Sequence, residues 1–335
     1  MCNINCCRNR SPIAKRLAAR RILELEEEES KRPKVVIPTP QSLFFNFDTV
    51  EAMAKYIIGV THIRPKYGLI SGKFLGSMMS LVERPVIIPH ADIPNFPESQ
   101  EPNGSFFVVG FVMGAPIIAM STRCLFYEGQ SLANCALPVQ VMRLCGVKTI
   151  ILSCIAASVN PNYKIGDIML IKDHINFVGM MDHTAMEGPI DPRFGRRHLR
   201  MVGAYDEELL NKSLEIAEEL GIEQSLRSGI FGCIGGPLYG TEAEERLLRS
   251  LGVDAMGMSL IPEVIAAHQG GLRVFAFVII TVPATAKPEE DDADADVGRQ
   301  PKRNKEVLEV PWPKVQACHD LIAHLLYYMH NGHPI

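Results

Sequence analysis

Apolar residues along the chain occur in two repeating patterns, which together predict strands alternating with helices. Apolar runs rich in β-branched and aromatic residues predict strands at 68–72, 106–114, 115–121, 148–154, 166–171, 228–236 and 272–281. Apolar residues that recur every three or four positions predict helices at 206–220, 241–251 and 313–330. We therefore expect an α/β fold, with a twisted mixed central sheet flanked by helices in one domain.

Polar segments mark the limits of this domain. Residues 1–42 are charged and end in a proline-spaced run, so they are predicted to form a flexible arm before a folded domain at 43–330 and a tail at 331–335. Residues 284–305 contain two prolines, six acids between Glu289 and Asp296, and no apolar side chain larger than Val297. Because this segment buries too little apolar surface to offset its ordering entropy, it is predicted to be a mobile loop.

Composition narrows the classes of partner. The chain has 335 residues, 47% hydrophobic and 21% charged, so it can bury a large core. Its net charge of −4 lacks the basic excess typical of nucleic-acid binding, and we expect a small-molecule partner. No apolar run reaches 18 residues, which argues against a membrane partner.

The N-terminal residues are compatible with two cellular compartments. The first 23 residues contain six basic residues and no acid, as mitochondrial transit peptides do, but they are poor in Ser and five Glu follow at once. A cytoplasmic protein is the main expectation, with mitochondrial import as the alternative. Nine cysteines without CxxC pairs are typical of reduced thiols, although lipidation of the cluster at Cys2, Cys6 and Cys7 stays possible.

Seven strings along the chain carry a family resemblance. They are IPNFPES at 93–99, RCLFYEG at 123–129, LPVQVMRLCGV at 137–147, NPNYKIGDIMLIKDHIN at 160–176, GPIDPRFG at 188–195, GVDAMGMSLIPEVIAA at 252–267 and GLRVFAF at 271–277. In these strings the chain resembles the trimeric purine nucleoside phosphorylases. The resemblance implies a phosphorylase/hydrolase-like fold, a homotrimer, and cleavage of inosine or guanosine by phosphate to free base and ribose 1-phosphate. Inorganic phosphate would be a co-substrate, and no cofactor is implied.

The phosphate subsite implied by the resemblance is altered. Arg123 matches the arginine that clamps phosphate and Ser259 matches a phosphate-binding serine. Lys73 stands where the family has a serine in its glycine-rich turn, and Leu125 where it has a histidine. Ile155, assigned here to the phosphate-binding set, replaces an alanine and adds bulk where substrate passes. Lys73 would either supply charge to the cleft or point into solvent.

The ribose subsite is implied at three positions. Tyr127 and Met258 match the tyrosine and methionine that contact the sugar, and each has an equally simple interpretation as a packing residue. Asn304 occupies the position of the histidine that faces the ribose 5′-hydroxyl. An amide can still hydrogen bond, but with a different reach.

The base subsite is where the resemblance implies the largest change. Tyr239 matches the aromatic residue that stacks on the base, and Phe194 the phenylalanine that each subunit inserts into its neighbour's site. Gly240 stands in place of the glutamate that reads the purine, and Val282 in place of an asparagine. Losing both polar groups weakens stabilisation of the leaving purine. Glu242 and Glu244 are close in sequence, but helical spacing predicts that both face away from the base.

These substitutions leave the catalytic residues unknown and three functions open. One is a purine nucleoside phosphorylase with strongly impaired activity. Another, which the number of altered reacting positions favours, is a pseudoenzyme that binds a ligand or assembles with an active paralogue in mixed trimers. The third is a phosphorylase for a different nucleoside. No metal site is expected, because the closest helical histidine pair, His319 and His324, has a five-residue step.

Overall fold

The computed structural model describes residues 46–97, 105–284 and 310–332. The predicted arm at 1–42, almost all of the predicted loop at 284–305, and residues 333–335 of the predicted tail lie outside the described residues. So do Asn304 and the side chain of Lys73.

Nine strands and seven α-helices make up the described part of the chain. The strands are β1 (Tyr67–Ile70), β2 (Glu83–Pro89), β3 (Phe106–Val112), β4 (Ala115–Met120), β5 (Thr149–Ser158), β6 (Ile168–Asn176), β7 (Leu226–Cys233), β8 (Ala255–Gly257) and β9 (Arg273–Val282). The helices are α1 (Phe47–Thr61), α2 (Leu132–Cys145), α3 (Phe177–Met180), α4 (Glu207–Glu219), α5 (Glu242–Ser250), α6 (Ile261–Gln269) and α7 (Trp312–Asn331). Every strand and helix predicted from the apolar patterns is present, with bounds shifted by a few residues.

The nine strands form one mixed sheet, as predicted. Their order is β2-β3-β4-β1-β5-β8-β7-β6-β9, and β9 also pairs with β5. This last pairing is parallel and runs from Arg273 opposite Thr149 to Val282 opposite Ala157. It brings the end of the sheet back to its middle, so that β5, β8, β7, β6 and β9 close into a ring.

Helices cover both faces of the sheet, because its central strands are apolar on both sides. Nearly every residue of β5 and β9 is buried. One core cluster joins the sheet to α1, α2 and α6, through residues such as Met53, Val139 and Ile261. The other joins it to α4 and α7, through residues such as Ile216 and Leu325.

The topology brings the ends of four strands to one edge of the sheet. Strands β4 and β1, β1 and β5, and β5 and β9 are parallel pairs, so their carboxyl ends point the same way. Ser71 follows β1, Ser121 follows β4, and Thr281 is the penultimate residue of β9. Ligands of open α/β sheets bind outside the carboxyl ends of the strands. This edge is therefore the place to look for a functional site.

Candidate active site

A cleft of about 390 Å³ lies at the carboxyl ends of these strands. It brings together six of the residues that the sequence predicted for phosphate, ribose or base binding: Arg123, Tyr127, Ile155, Tyr239, Met258 and Ser259. These residues come from four separate stretches of the chain, so only the fold places them together. The cleft falls in the size range of small-molecule sites.

Arg123 is buried in one wall of the cleft and is held from three sides. Its Nε donates to Glu263 Oε1 at 2.8 Å, its Nη1 to the Ser153 carbonyl at 2.8 Å, and its Nη2 approaches the Ile70 carbonyl at 3.5 Å. Arg123 is 6% exposed and Glu263 1%. A buried guanidinium needs such partners, because an isolated charge in the interior is strongly unfavourable. The side chain is thus fixed in position before any ligand arrives.

The electrostatics keep this arginine charged and able to bind an anion. Burial acts to lower the pKa of Arg123, but the Glu263 carboxylate outweighs that effect and the pKa is raised. A guanidinium has five N–H donors in a planar fork, and the contacts above engage three. The remaining two, one on each terminal nitrogen, can donate to an oxyanion.

Ser259 and Cys154 form a neutral polar pair beside this arginine. Both residues line the cleft. Burial raises the pKa of Cys154 to about 11, so the thiol is protonated at neutral pH. The pair therefore adds no negative charge that would repel an anion from Arg123.

Tyr127 and Met258 approach each other at a tight turn. Gly236, between them, has a φ of 72°, and a Cβ there would lie 2.8 Å from both Met258 Sδ and Tyr127 Cδ1. Glycine is needed at this position on both counts. Tyr127 is 39% exposed and Tyr239 46%, and burial raises the pKa of both phenols, so they remain neutral donors. Two neutral tyrosines and a thioether suit the faces of a sugar or a planar ring.

Of the described residues, neither Gly240 nor Val282 lines the cleft. Val282 is buried in a small apolar cluster with Leu248 and Met256. Gly240 is exposed at the start of α5, and a Cβ there would meet Glu244 Oε2 at 3.5 Å. Neither Glu242 nor Glu244 lines the cleft, although Glu244 lies against Gly240. The Glu244 carboxylate turns back to accept from the Thr241 backbone at 2.6 Å, in a capping box that closes the helix end beside Gly240.

Comparison with known proteins places the chain in a family. Residues 67–309 match the Phosphorylase superfamily. The chain is 39% identical to the purine nucleoside phosphorylase of Anopheles gambiae over 80% of its own length and 77% of that protein. It is also 39% identical to that of Mus musculus, over 71% and 82% respectively. The chain belongs to the purine nucleoside phosphorylase family.

A solved structure of this family shares the fold. The crystal structure of a Schistosoma purine nucleoside phosphorylase in complex with hypoxanthine superposes with a TM-score of 0.77 at 32% sequence identity. The match covers 84% of this chain and 97% of that one. The fold expected from the sequence strings is thereby confirmed.

Phe194, predicted as a base-stacking residue, does not line the cleft of its own chain. It is 8% exposed and packs against Phe47 of α1, with ring centroids 5.2 Å apart. The prediction that this family member presents Phe194 to a neighbouring subunit stays a prediction.

Sequence reasoning missed several residues that shape the site. Glu263 was recognisable, since it is an acid within the apolar run of α6. Thr281, one position before Val282, lines the cleft with its hydroxyl 3.5 Å from the Ala156 carbonyl. Ser71 lines it as well. No pattern in the sequence distinguishes these two hydroxyls from those of other buried serines and threonines.

Metal-binding clusters and membrane-spanning helices are both missing from the part of the chain that the structure describes. Within residues 46–97, 105–284 and 310–332, no group of three or more His, Cys, Asp or Glu could hold a metal ion. No helix in those ranges is both long and apolar enough to cross a bilayer. The six cysteines described there are free thiols, all buried.

Proposed function

We propose that the cleft binds inorganic phosphate and a purine nucleoside, and that the chain cleaves the nucleoside at a strongly reduced rate. The observation that carries the proposal is the convergence of Arg123, Ser259, Tyr127, Met258 and Tyr239 on one cleft. The names of the relatives supply the substrate class, and the Schistosoma structure holds hypoxanthine, a purine base. Phosphate would be the co-substrate, with no further cofactor.

The reaction follows from the two ends of the cleft. A phosphate oxygen held at Arg123 attacks C1′ of the ribose, the bond from C1′ to the purine nitrogen breaks, and its electron pair leaves with the base. The departing base takes a proton, and ribose 1-phosphate remains. Arg123 favours this path because its fixed donors hold the nucleophile in place. Tyr239 would hold the base by stacking.

The reduced rate is proposed because of the residues expected to contact the purine base. Charge develops on the purine as it leaves, and donors or acceptors fixed there typically contribute about 10²- to 10³-fold each. Neither Gly240 nor Val282 brings a polar side chain into the cleft. We therefore expect inosine phosphorolysis at least about 10³-fold below that of the A. gambiae relative.

The test is phosphorolysis of inosine by the purified chain. A turnover within about tenfold of the relative, only about 1.4 kcal/mol of barrier, would overturn the impairment. Restoring polar groups with Gly240→Glu and Val282→Asn should tighten inosine binding without reaching full activity. Since Glu244 lies against position 240, these changes are best combined with Glu244→Gln, which keeps the capping bond and removes the like charge. Gly240→Gln with Val282→Asn and Glu244→Gln is the matched uncharged control.

A ligand-binding or assembly subunit is the second candidate, favoured by the same lack of polar side chains at positions 240 and 282. It predicts phosphate or nucleoside binding without turnover, and either a homotrimer or mixed trimers with an active paralogue. Light scattering at micromolar concentration, alone and after co-expression with that paralogue, tests the assembly. A monomer in both cases would exclude it.

A phosphorylase for a less polar N-glycoside is the remaining candidate, and Leu125 in the cleft lining favours it. Turnover of another nucleoside well above that of inosine would identify this function.

A further inference from the structure

Ser71 is a buried hydroxyl without a partner at the edge of the cleft. It directly follows β1, is 1% exposed, and lines the cleft. Its Oγ makes no hydrogen bond to any residue that the structure describes. Leaving such a group unpaired typically costs about 1–3 kcal/mol, so a hydroxyl in this position calls for a partner that the described residues do not provide.

The surroundings of Ser71 point to an anion as that partner. The Ile70 carbonyl, one residue before, is approached by Arg123 Nη2 at 3.5 Å, which places Ser71 beside the guanidinium. The next residue, Gly72, packs on β5 so closely that an added Cβ would lie 3.2 Å from Cys154 Cα. This close packing holds the backbone on both sides of Ser71 in place. The hydroxyl therefore has little freedom to reach another acceptor within the protein.

We propose that the Ser71 hydroxyl donates a hydrogen bond to an oxygen of the phosphate held by Arg123. The inference rests on the proposed function, because it adds a contact to the anion end of the same cleft. A hydroxyl that donates to a charged oxygen forms a short, strong hydrogen bond, which would give the Ser71 Oγ the partner that it lacks among the described residues. Ser71 acts as a binding residue for the phosphoryl group, carried either by inorganic phosphate or by ribose 1-phosphate.

The chain offers a matched control in Ser153. Its hydroxyl is also fully buried and also lacks a partner in the described residues, but the residue does not line the cleft. Ser153→Ala removes that hydroxyl and keeps the backbone carbonyl that accepts from Arg123. Any general effect of deleting a buried hydroxyl next to this wall appears in both variants, and only a contact to the ligand separates them.

Isothermal titration of inorganic phosphate, and separately of ribose 1-phosphate, into the full chain tests the inference. Ser71→Ala should weaken phosphate binding about tenfold, the effect of one charge-assisted hydrogen bond, with an unchanged or higher melting temperature. Ser153→Ala should stay within about twofold of the wild type. Ser71→Cys, which keeps a donor at this position but a larger and weaker one, should fall between them. A loss seen with both ligands assigns the contact to the phosphoryl group, and a loss with ribose 1-phosphate alone overturns it in favour of the sugar.

Failure of the inference and failure of the proposed function give different results. If wild type binds phosphate, Arg123→Lys binds it weakly and Ser71→Ala binds it normally, only the role of Ser71 is overturned. Equal losses in Ser71→Ala and Ser153→Ala, or a lower melting temperature in Ser71→Ala with normal phosphate affinity, also overturn it, because both indicate a structural role. If wild type binds neither ligand, the anion site itself is absent and both proposals fail.

Discussion

Two parts of the cleft lining, one around Arg123 and one around Tyr239, are built in opposite ways. At the Arg123 wall, comprising Arg123, Glu263 and the carbonyls of Ser153 and Ile70, the charged groups are buried and hydrogen bonded to one another. At the Tyr239 rim, comprising residues 238–241, the chain is exposed: Leu238 is 78% and Tyr239 46% accessible. One end is organised by the core, and the other by a turn and a helix cap.

This difference shows which part of such a site tolerates change. A substitution in the wall leaves a buried charge unpaired and disturbs the core, so the fold itself constrains those positions. A substitution at the rim costs little in stability, because water can hydrogen bond to any polar group that loses its partner there. The anion end is therefore expected to persist in this fold, while the base end is free to vary in chemistry.

Removing Arg123 from the wall is expected to have the largest effect on stability and on phosphate binding. Arg123→Met leaves Glu263 buried without its partner, which should lower the free energy of unfolding by about 3–5 kcal/mol and abolish phosphate binding. Urea denaturation and phosphate titration measure the two effects. The double variant Arg123→Met with Glu263→Met should recover most of the stability and none of the binding. A single variant as stable as wild type would show that the pair is not a structural element.

His90 is a buried ionisable residue that, unlike Arg123, has no hydrogen-bond partner among the described residues. Its ring lies between Phe96 and Phe107, neither ring nitrogen has a partner in the described residues, and burial lowers its pKa to about 4. Above pH 6.5 His90 is neutral in both states. Between pH 6.5 and 4 the histidine is protonated in the unfolded chain but stays neutral in the folded chain. The free energy of unfolding therefore falls as the pH is lowered, by about 3 kcal/mol in all.

The measurement for His90 is urea denaturation as a function of pH. His90→Phe should remove the additional loss of stability between pH 6.5 and 4, while the contributions of other groups remain in both proteins. Parallel pH profiles for wild type and variant would contradict the assignment.

Removing the exposed aromatic at the rim should affect binding and leave stability almost unchanged. Base–aromatic stacking is worth about 1–3 kcal/mol, so Tyr239→Ala should weaken inosine binding about tenfold or more, with phosphate affinity unaltered. The unfolding free energy should change by less than about 0.5 kcal/mol, as is usual at exposed positions. Leu238→Ala, next to it and outside the cleft lining, is the control. Equal inosine affinity in wild type and Tyr239→Ala would show that the base does not stack on Tyr239.

The helix cap behind the rim should show the smallest effect. Thr241→Ala removes the hydroxyl that accepts from the Glu244 amide at 3.3 Å and should lower the free energy of unfolding by about 1 kcal/mol. Denaturation detects that loss, and inosine titration should show a change of less than about twofold. A loss of inosine affinity as large as that of Tyr239→Ala would mean that the cap positions the ligand and does not only end the helix.

Much of the secondary structure was predictable because its cause is local. Amphipathic helices α4, α5 and α7 and the long apolar strands β5 and β9 follow from side-chain periodicity and propensity. Strand β2 was missed because its residues are mostly exposed, and α2 and α6 were not predicted from periodicity because both are buried on most sides and show little of it. Short and fully buried elements carry a weak periodic pattern.

What the sequence by itself determined is which side chains this chain has for binding a phosphate, a sugar and a base, together with the strands and helices that carry them. Tertiary structure decided the rest: the pairing of β9 with β5, the contact of Arg123 with Glu263 across 140 residues, and the burial of the Ser71 hydroxyl beside that arginine. It also decided that the Glu244 carboxylate turns back toward Gly240. Local propensity has a range of a few residues, whereas burial and pairing depend on residues far apart in the chain.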